Sequence, residues 1–582
     1  MKKMMILMML AATLTACSSE DPFSDYNNSW ASGGNNGGGM SGGTSTATGE
    51  LTTFTVNIDK TTAEPTDKAD AYYPDAEDDI AVNSFTTQVS IDLSNPTAKT
   101  ENGVTVTVNG NHIKADHGSE KGICYIVSGT TSKGSFTVVG DKKYEVMLNG
   151  ANITNPDSAA LNLLSKKRAY VVLADGTSNV LTDGTSSQND HKGALYCKGK
   201  LLFSGTGSLE VYGNYNNAIH SADYILFSTG SNIYAKSTAN HGIKANDGIF
   251  INGGILNVEV SAAAAKGINC ESNIVVSGGR TTVITTGNGT YDTDDKEAKG
   301  SAGIKADSTF TMYGGELWLK STGSGGKGIN VDQGADFNGG SVYVVTTGSQ
   351  YKYSNDTASP KGIKADGAIT ISGGRIWVRT SGTNGEGIET KSTLTITDGE
   401  VACYAYDDAI NSKSTMTING GYVYAHGQHN DGLDANGNIY IKGGVVFAVG
   451  SGSPEVAIDA NTEGGYKLYV QGGTIVAVGG LESGSQLSQA CYQASWSSNT
   501  WYSLSGATSS LAFKTPSSGG SGLVVSTAST PSLQSGVTVS GGTSLFGDLA
   551  NWGGTATGGS SVSLSSYSGG SSMGGGGRPG GW

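Results

Sequence analysis

The residue immediately before each of a series of Gly-Ile-like pairs runs His241, Lys266, Ala302, Lys327, Lys361, Glu386, Asp408, Asp431. Basic letters occupy the middle of this column and acidic ones follow. Asp408 and Asp431 have Asp407, Asn430 and Asp434 close by in the chain. Carboxylates brought together in this way form a hard-oxygen donor set of the kind that binds calcium. Glu386, Asp408, Asp431 and Asp434 are therefore the candidate metal ligands. Stacked like charges favour a neutralising cation, although solvated turn carboxylates would read the same way. Asp292, Asp294 and Asp295 are a weaker candidate, since they lack the spacing of an EF-hand loop. Lys327, Lys361 and Lys364 would meet an anionic ligand.

A second series lies after each Gly-Gly-like pair: Trp318, Tyr343, Trp377, then Ala402, Tyr424, Phe447. Alternation puts Leu317 and Leu319, Val342 and Val344, Ile376 and Val378 inward and the rings outward. With Arg375, Arg379 and Lys320 beside them, Trp318, Tyr343 and Trp377 could stack on sugar rings while the cations meet carboxylates. A covering segment, or plain cross-strand stacking, would make the same rings structural.

What places these residues is a repeat. Residues 362–380, GIKADGAITISGGRIWVRT, closely match residues 303–321, GIKADSTFTMYGGELWLKS. From Gly242, Gly267, Gly303, Gly328, Gly362, Gly387, Ala409 and Gly432 to the next Gly-Gly-like pair is always 11 residues, and from Ala457 it is 15. The return intervals are 14, 25, 14, 23, 14, 11, 12 and 14. Half of the repeat is thus rigid, and one corner accepts insertions. Period-two alternation in the rigid half predicts three short strands per unit. So small a unit cannot bury its apolar face alone, and its neighbours must stack in register. The predicted fold is all-β: a three-sheet parallel β-helix over residues 101–480. The long corners, TGNGTYDTDDKEAKGSA and TGSQYKYSNDTASPK, would stand as walls on either side of SGSGGKG.

The flanks read differently. Residues 1–16 resemble a lipoprotein signal peptide, and Leu14-Thr15-Ala16-Cys17 a lipobox that would leave Cys17 lipidated. Residues 17–50 read as a Gly/Ser/Asn-rich tether, 51–100 as an irregular β segment, 481–545 as a C-terminal β cap and 546–582 as a Gly/Ser-rich tail. The expected location is the outer membrane, facing outward on a lipid anchor. A net charge of −14 excludes attraction to nucleic acid as the principal function. Cys124, Cys197, Cys270, Cys403 and Cys491 read as core residues. No HExxH, CxxC or Ser-His-Asp pattern stands out.

The phrases YIVSGTTSKGSFTVVGDKKYEVMLNGANITN, LADGTSNVLTDG and KGALYCKGKLLFSGTGSLEVYGNYNNAIHS, followed by the GIKAD coils, resemble the bacterial carbohydrate-binding domain family, whose members are like pectate lyases in fold. The resemblance covers roughly residues 100–540 and implies a right-handed β-helix, a surface location, calcium sites and affinity for acidic, plant-type polysaccharide. From Gly387 onward the lettering departs (GIETK, AINSK). Three functions follow as expectations. The first is a monomeric polysaccharide-binding protein using calcium, the second a calcium-dependent lyase with Lys361 or Lys364 as base, and the third an adhesin or structural rod.

Overall fold

The computed structural model describes residues 49–569. Cys17, the leader and most of the tether lie outside these residues, as does the end of the tail from residue 570.

Each coil lays down three parallel strands, as in Lys361–Ala365, Ile369–Ile371 and Arg375–Thr380. We call the three surfaces so formed the first, second and third faces. The first face is a sixteen-stranded sheet, and the other two are joined in one of 31 strands. Register follows the repeat: Ile329, Ile363, Ile388, Ile410, Leu433 and Ile458 pair in succession. All six are fully buried, so backbone hydrogen bonding and the apolar column stabilise every coil through its neighbours. The five cysteines among the described residues are free and buried.

The corner before the third face depends on one residue. The second glycine of each pair, as at Gly340, Gly374, Gly399 and Gly444, has φ between 75° and 91°. A β-carbon on Gly374 would lie 2.6 Å from the Gly340 carbonyl. That is why aspartate can replace the first glycine, at Asp398, while the second is glycine in all nine units.

Outside the coils the structure departs from what composition suggested. Among the described residues no strand forms before Thr87–Asp92, which already pairs with a coil strand. Residues 51–86 instead form a strap along the outside, with two 3₁₀ turns at Ala76–Asp78 and Ile80–Val82. Leu51, Phe54 and Val56 pack on the third face, and Ile80 and Phe85 on the second. Arg168 latches the strap through Asp75 at 2.9 Å, Glu77 at 3.0 Å and Asp78 at 2.8 Å. At the other end Leu523–Ser526 runs antiparallel on Thr474–Val478, and a six-stranded antiparallel sheet follows. Strands Ala550–Trp552, Thr555–Val562 and Ser565–Tyr567 occupy what reads as a tail, and Phe546 is fully buried. Glycine-rich composition hid these strands because their small residues pair by backbone alone.

Candidate functional site

The aromatic series points away from the coil interior, as alternation requires, but it is not free for a ligand. Trp318 stacks on Tyr343 with ring centres 4.0 Å apart, and Tyr343 meets Trp377 edge-on at 5.8 Å. Phe54 of the strap covers both Tyr343 and Trp377. Only 6% of Tyr343 and 4% of Trp377 remain exposed. The flanking cations are engaged as well. Arg375 pairs with Glu400 at 3.3 Å and lies over the Trp377 ring, while Arg379 donates to the Leu51 carbonyl at 2.9 Å. Glu400 also accepts from the Trp377 indole at 2.9 Å. The expectation that Trp318, Tyr343, Trp377, Arg375 and Arg379 face a polysaccharide is corrected here: Tyr343 and Trp377 belong to a second core beneath the strap and the cap, half-buried Trp318 packs against it, and both arginines are engaged beside it.

The two long corners form hairpins, Thr290–Asp292 with Glu297–Lys299 and Tyr351–Tyr353 with Asp356–Ala358. They do not stand apart as groove walls. Tyr291 stacks on Tyr353 at 4.2 Å, and the Ala298 amide donates to Asp356 at 2.5 Å. Asp292 is paired with Lys299 at 2.9 Å, and Asp295 with the same lysine, so that loop already carries its neutralising charge.

The charged letters do collect, in two rows on the first face. One passes through Lys266, Ala302, Lys327, Lys361 and Glu386. The other passes through Lys305, Asn330, Lys364, Glu389, Asn411, Asp434 and Asp459. Lys361, 8% exposed, bridges Glu386 at 2.6 Å and Glu389 at 3.1 Å. Burial alone would lower its pKa, but the two carboxylates hold it above the usual lysine range. Lys364 pairs with Asp366. Lys327 has no ion-pair partner among the described residues and donates to the Gly325 carbonyl at 3.3 Å. Burial, and then Lys266, Lys364 and Lys361, bring its pKa down to about 7.

The convergent carboxylates are Asp431, Asp434 and Asp459, each offering an oxygen within 4.8 Å of the others. Asp431 is pushed up to about 9 by burial and then by Asp459 and Asp408. Asp434 rises to about 8 through burial, Asp408 and Asp459, and Asp459 to about 8 through burial and Glu482. Asp408 stands beside them, accepting from the Asp431 amide at 3.1 Å and from Asn411 at 3.0 Å. The structure brings Asp431 and Asp434 together, while Glu386 pairs with Lys361 and acts on Asp408 and Asp434 only as a neighbouring charge. Asp459 and Glu389 were missed. Both were findable, because Ile458-Asp459-Ala460 repeats Leu433-Asp434-Ala435, and Glu389 holds the position of Lys364 one coil later.

The sequence model of carbohydrate-binding domain-containing proteins matches residues 100–264, 237–384 and 361–432, together more than half of the chain. The chain belongs to that family. A carbohydrate-binding domain-containing protein of Acetivibrio thermocellus is 34% identical over 121 residues, 19% of this chain and 42% of its own length. The match thus spans less than half of that relative. A solved structure of the polysaccharide lyase-like protein from C. thermocellum, a gadolinium derivative, aligns over 49% of this chain and 96% of its own, with 23% identity and a TM-score of 0.34. At that score the overlay defines neither the residues nor the chemistry of a site. In this family member the first face, with its lysines and carboxylates, is the candidate site.

Proposed function

We propose that this protein is a lipid-anchored, outward-facing outer-membrane lipoprotein that binds acidic polysaccharide along the first face, with calcium held at Asp431, Asp434 and Asp459. One observation carries the reading: three carboxylates converge with no ion-pair partner among the described residues. Their chemistry fits calcium, which takes six to eight hard oxygens. Asp431, Asp434 and Asp459 supply part of that shell, and sugar carboxylates and hydroxyls would complete it. Calcium thus contributes a bridge between protein and polymer, while the lysine-bearing coils offer a complementary surface.

Binding without cleavage is the better reading of the two rows. β-Elimination needs a base and a cation on the same sugar. The two lysines first suited to that role, Lys361 and Lys364, are tied to carboxylates. Lys327, the amine brought near neutrality, lies four coils from Asp434, or about 19 Å at the spacing of adjacent strands. Incubation of the mature protein with polygalacturonate and calcium is expected to retain polymer in a pull-down without producing unsaturated uronate. Turnover lost in Lys327→Ala would reverse this assignment. In calorimetry, Asp434→Asn/Asp459→Asn is expected to weaken calcium binding at least about tenfold, since two of the three charges go. Unchanged affinity would sink the calcium reading.

The carboxyl pKa values add a pH signature. These groups titrate higher in the folded chain than in the unfolded one, where aspartate sits at about 4. The folded state therefore holds the extra protons, and calcium-free stability falls as pH rises from about 4 towards 8. Calcium replaces those protons, so the rise in melting temperature it produces should grow over the same window. An equal calcium effect at the acidic and alkaline ends would contradict it.

A further inference from the structure

We infer that Tyr440 and Tyr469, on the second face, form a sugar-stacking subsite for a carboxylate-bearing pyranose chain; this rests on the carbohydrate-binding reading above. The two residues pair on adjacent coils, with ring centres 4.8 Å apart and planes 12° from parallel. They are half-buried, mainly because each covers the other. Unlike Tyr343 and Trp377, they have neither strap nor cap above them among the described residues. The strap packs on the second face near Phe250 and Val275, many coils away.

The surroundings of the rings are suited to an acidic sugar. Strand alternation places Asn438, Tyr440 and Lys442 outward in one row, and Lys467, Tyr469 and Gln471 in the next. Lys442 and Lys467 are exposed and flank the rings at opposite ends. Neither ammonium nor either phenol has a hydrogen-bond partner among the described residues, although Lys442 lies 5.4 Å from the Tyr440 ring centre. Tyr466, 43% exposed, stands at the approach to the second row. Along the face the same column continues through Thr417 and Thr395, whose half-exposed side chains offer hydroxyls.

Each feature has a counterpart in one ligand class. A pyranose presents an apolar C–H face that packs on an aromatic face, and hydroxyls at its rim. The rings are stacked face to face, so the pair offers the outer face of each ring and their shared rim to a sugar of the chain. Two free ammoniums in a protein of net charge −14 favour carboxylates on that chain. The subsite lies on the coils that carry Asp434 and Asp459, one corner away. A polymer held at the carboxylate triad therefore meets it on the neighbouring face.

The test uses the mature protein, calcium and soluble polygalacturonate, with a neutral β-glucan for comparison. Tyr440→Ala/Tyr469→Ala is expected to weaken polygalacturonate binding about tenfold or more while leaving calcium affinity unchanged. Lys442→Ala/Lys467→Ala should weaken binding of the acidic polymer, and the neutral polymer should bind less well than the acidic one. Independently of any substitution, saturating polygalacturonate should protect Tyr440 and Tyr469 of the wild-type protein from nitration, read by peptide mass spectrometry. Wild-type affinity in the tyrosine variant, or unprotected tyrosines under saturation, would overturn the subsite even where Asp434→Asn/Asp459→Asn abolishes binding. Equal binding of the neutral polymer would overturn the acidic class. A wild-type protein that binds no polygalacturonate would overturn both this subsite and the function it rests on.

Discussion

Trp377→Ala is expected to destabilise the protein by about 3–5 kcal/mol, the range for removing a large buried aromatic. The side chain is 4% exposed, packs against Phe54 and Tyr343, and donates to Glu400. Its loss opens a cavity between solenoid, strap and cap, and leaves a Glu400 oxygen without its indole donor. A surface ring would cost little, so the two roles are separated by more than the error of a denaturation curve. Urea unfolding followed by circular dichroism is the measurement. A loss below about 1 kcal/mol, as is usual for a surface substitution, would mean that the strap does not cover this face in solution.

Lys361→Met should be as damaging for an electrostatic reason. Its ammonium sits between Glu386 and Glu389, both largely buried. One oxygen of Glu386 has no hydrogen bond, so the lysine supplies most of what holds that charge. Burial already pushes the Glu386 carboxyl above its usual range, with Lys361 opposing the shift. Removing one member of a buried pair typically costs about 3–5 kcal/mol. Lys361→Met/Glu386→Gln/Glu389→Gln should recover much of the loss, since no uncompensated charge then remains. Failure of the triple variant to recover stability would show that Lys361 matters for packing instead.

The repeat made the solenoid legible because both of its periods are local. Ile363 and Ile388 can be aligned by counting, and Gly374 marks a corner by its type alone. The acidic cluster was half legible for the same reason. Asp431 and Asp434 were found from a column, while Asp459 fell past the one longer interval. The aromatic series was misread because the segment that covers it, around Phe54, belongs to a stretch without periodicity. Nothing local in that stretch says which face it will choose. Alternation correctly told inside from outside of the coil, but it carries no information about a second layer. Tyr440 and Tyr469 carry no columnar signal, because the two coils before them place Thr395 and Thr417 at that position on the second face.

The strap also dictates an order of events during synthesis. Thr52 donates its hydroxyl hydrogen to the carbonyl of Gly547, a partner 495 positions away. This early-synthesised segment therefore waits for one 495 positions later before it can dock. Coils can propagate from neighbour to neighbour as each is completed. The strap cannot join them along its whole length until the cap exists, because Leu51 and Phe54 complete their core with cap residues such as Phe546 and Leu549. Docking at this end thus reports that the cap has been made, and a chain lacking it would keep Tyr343 and Trp377 open to solvent and to proteases.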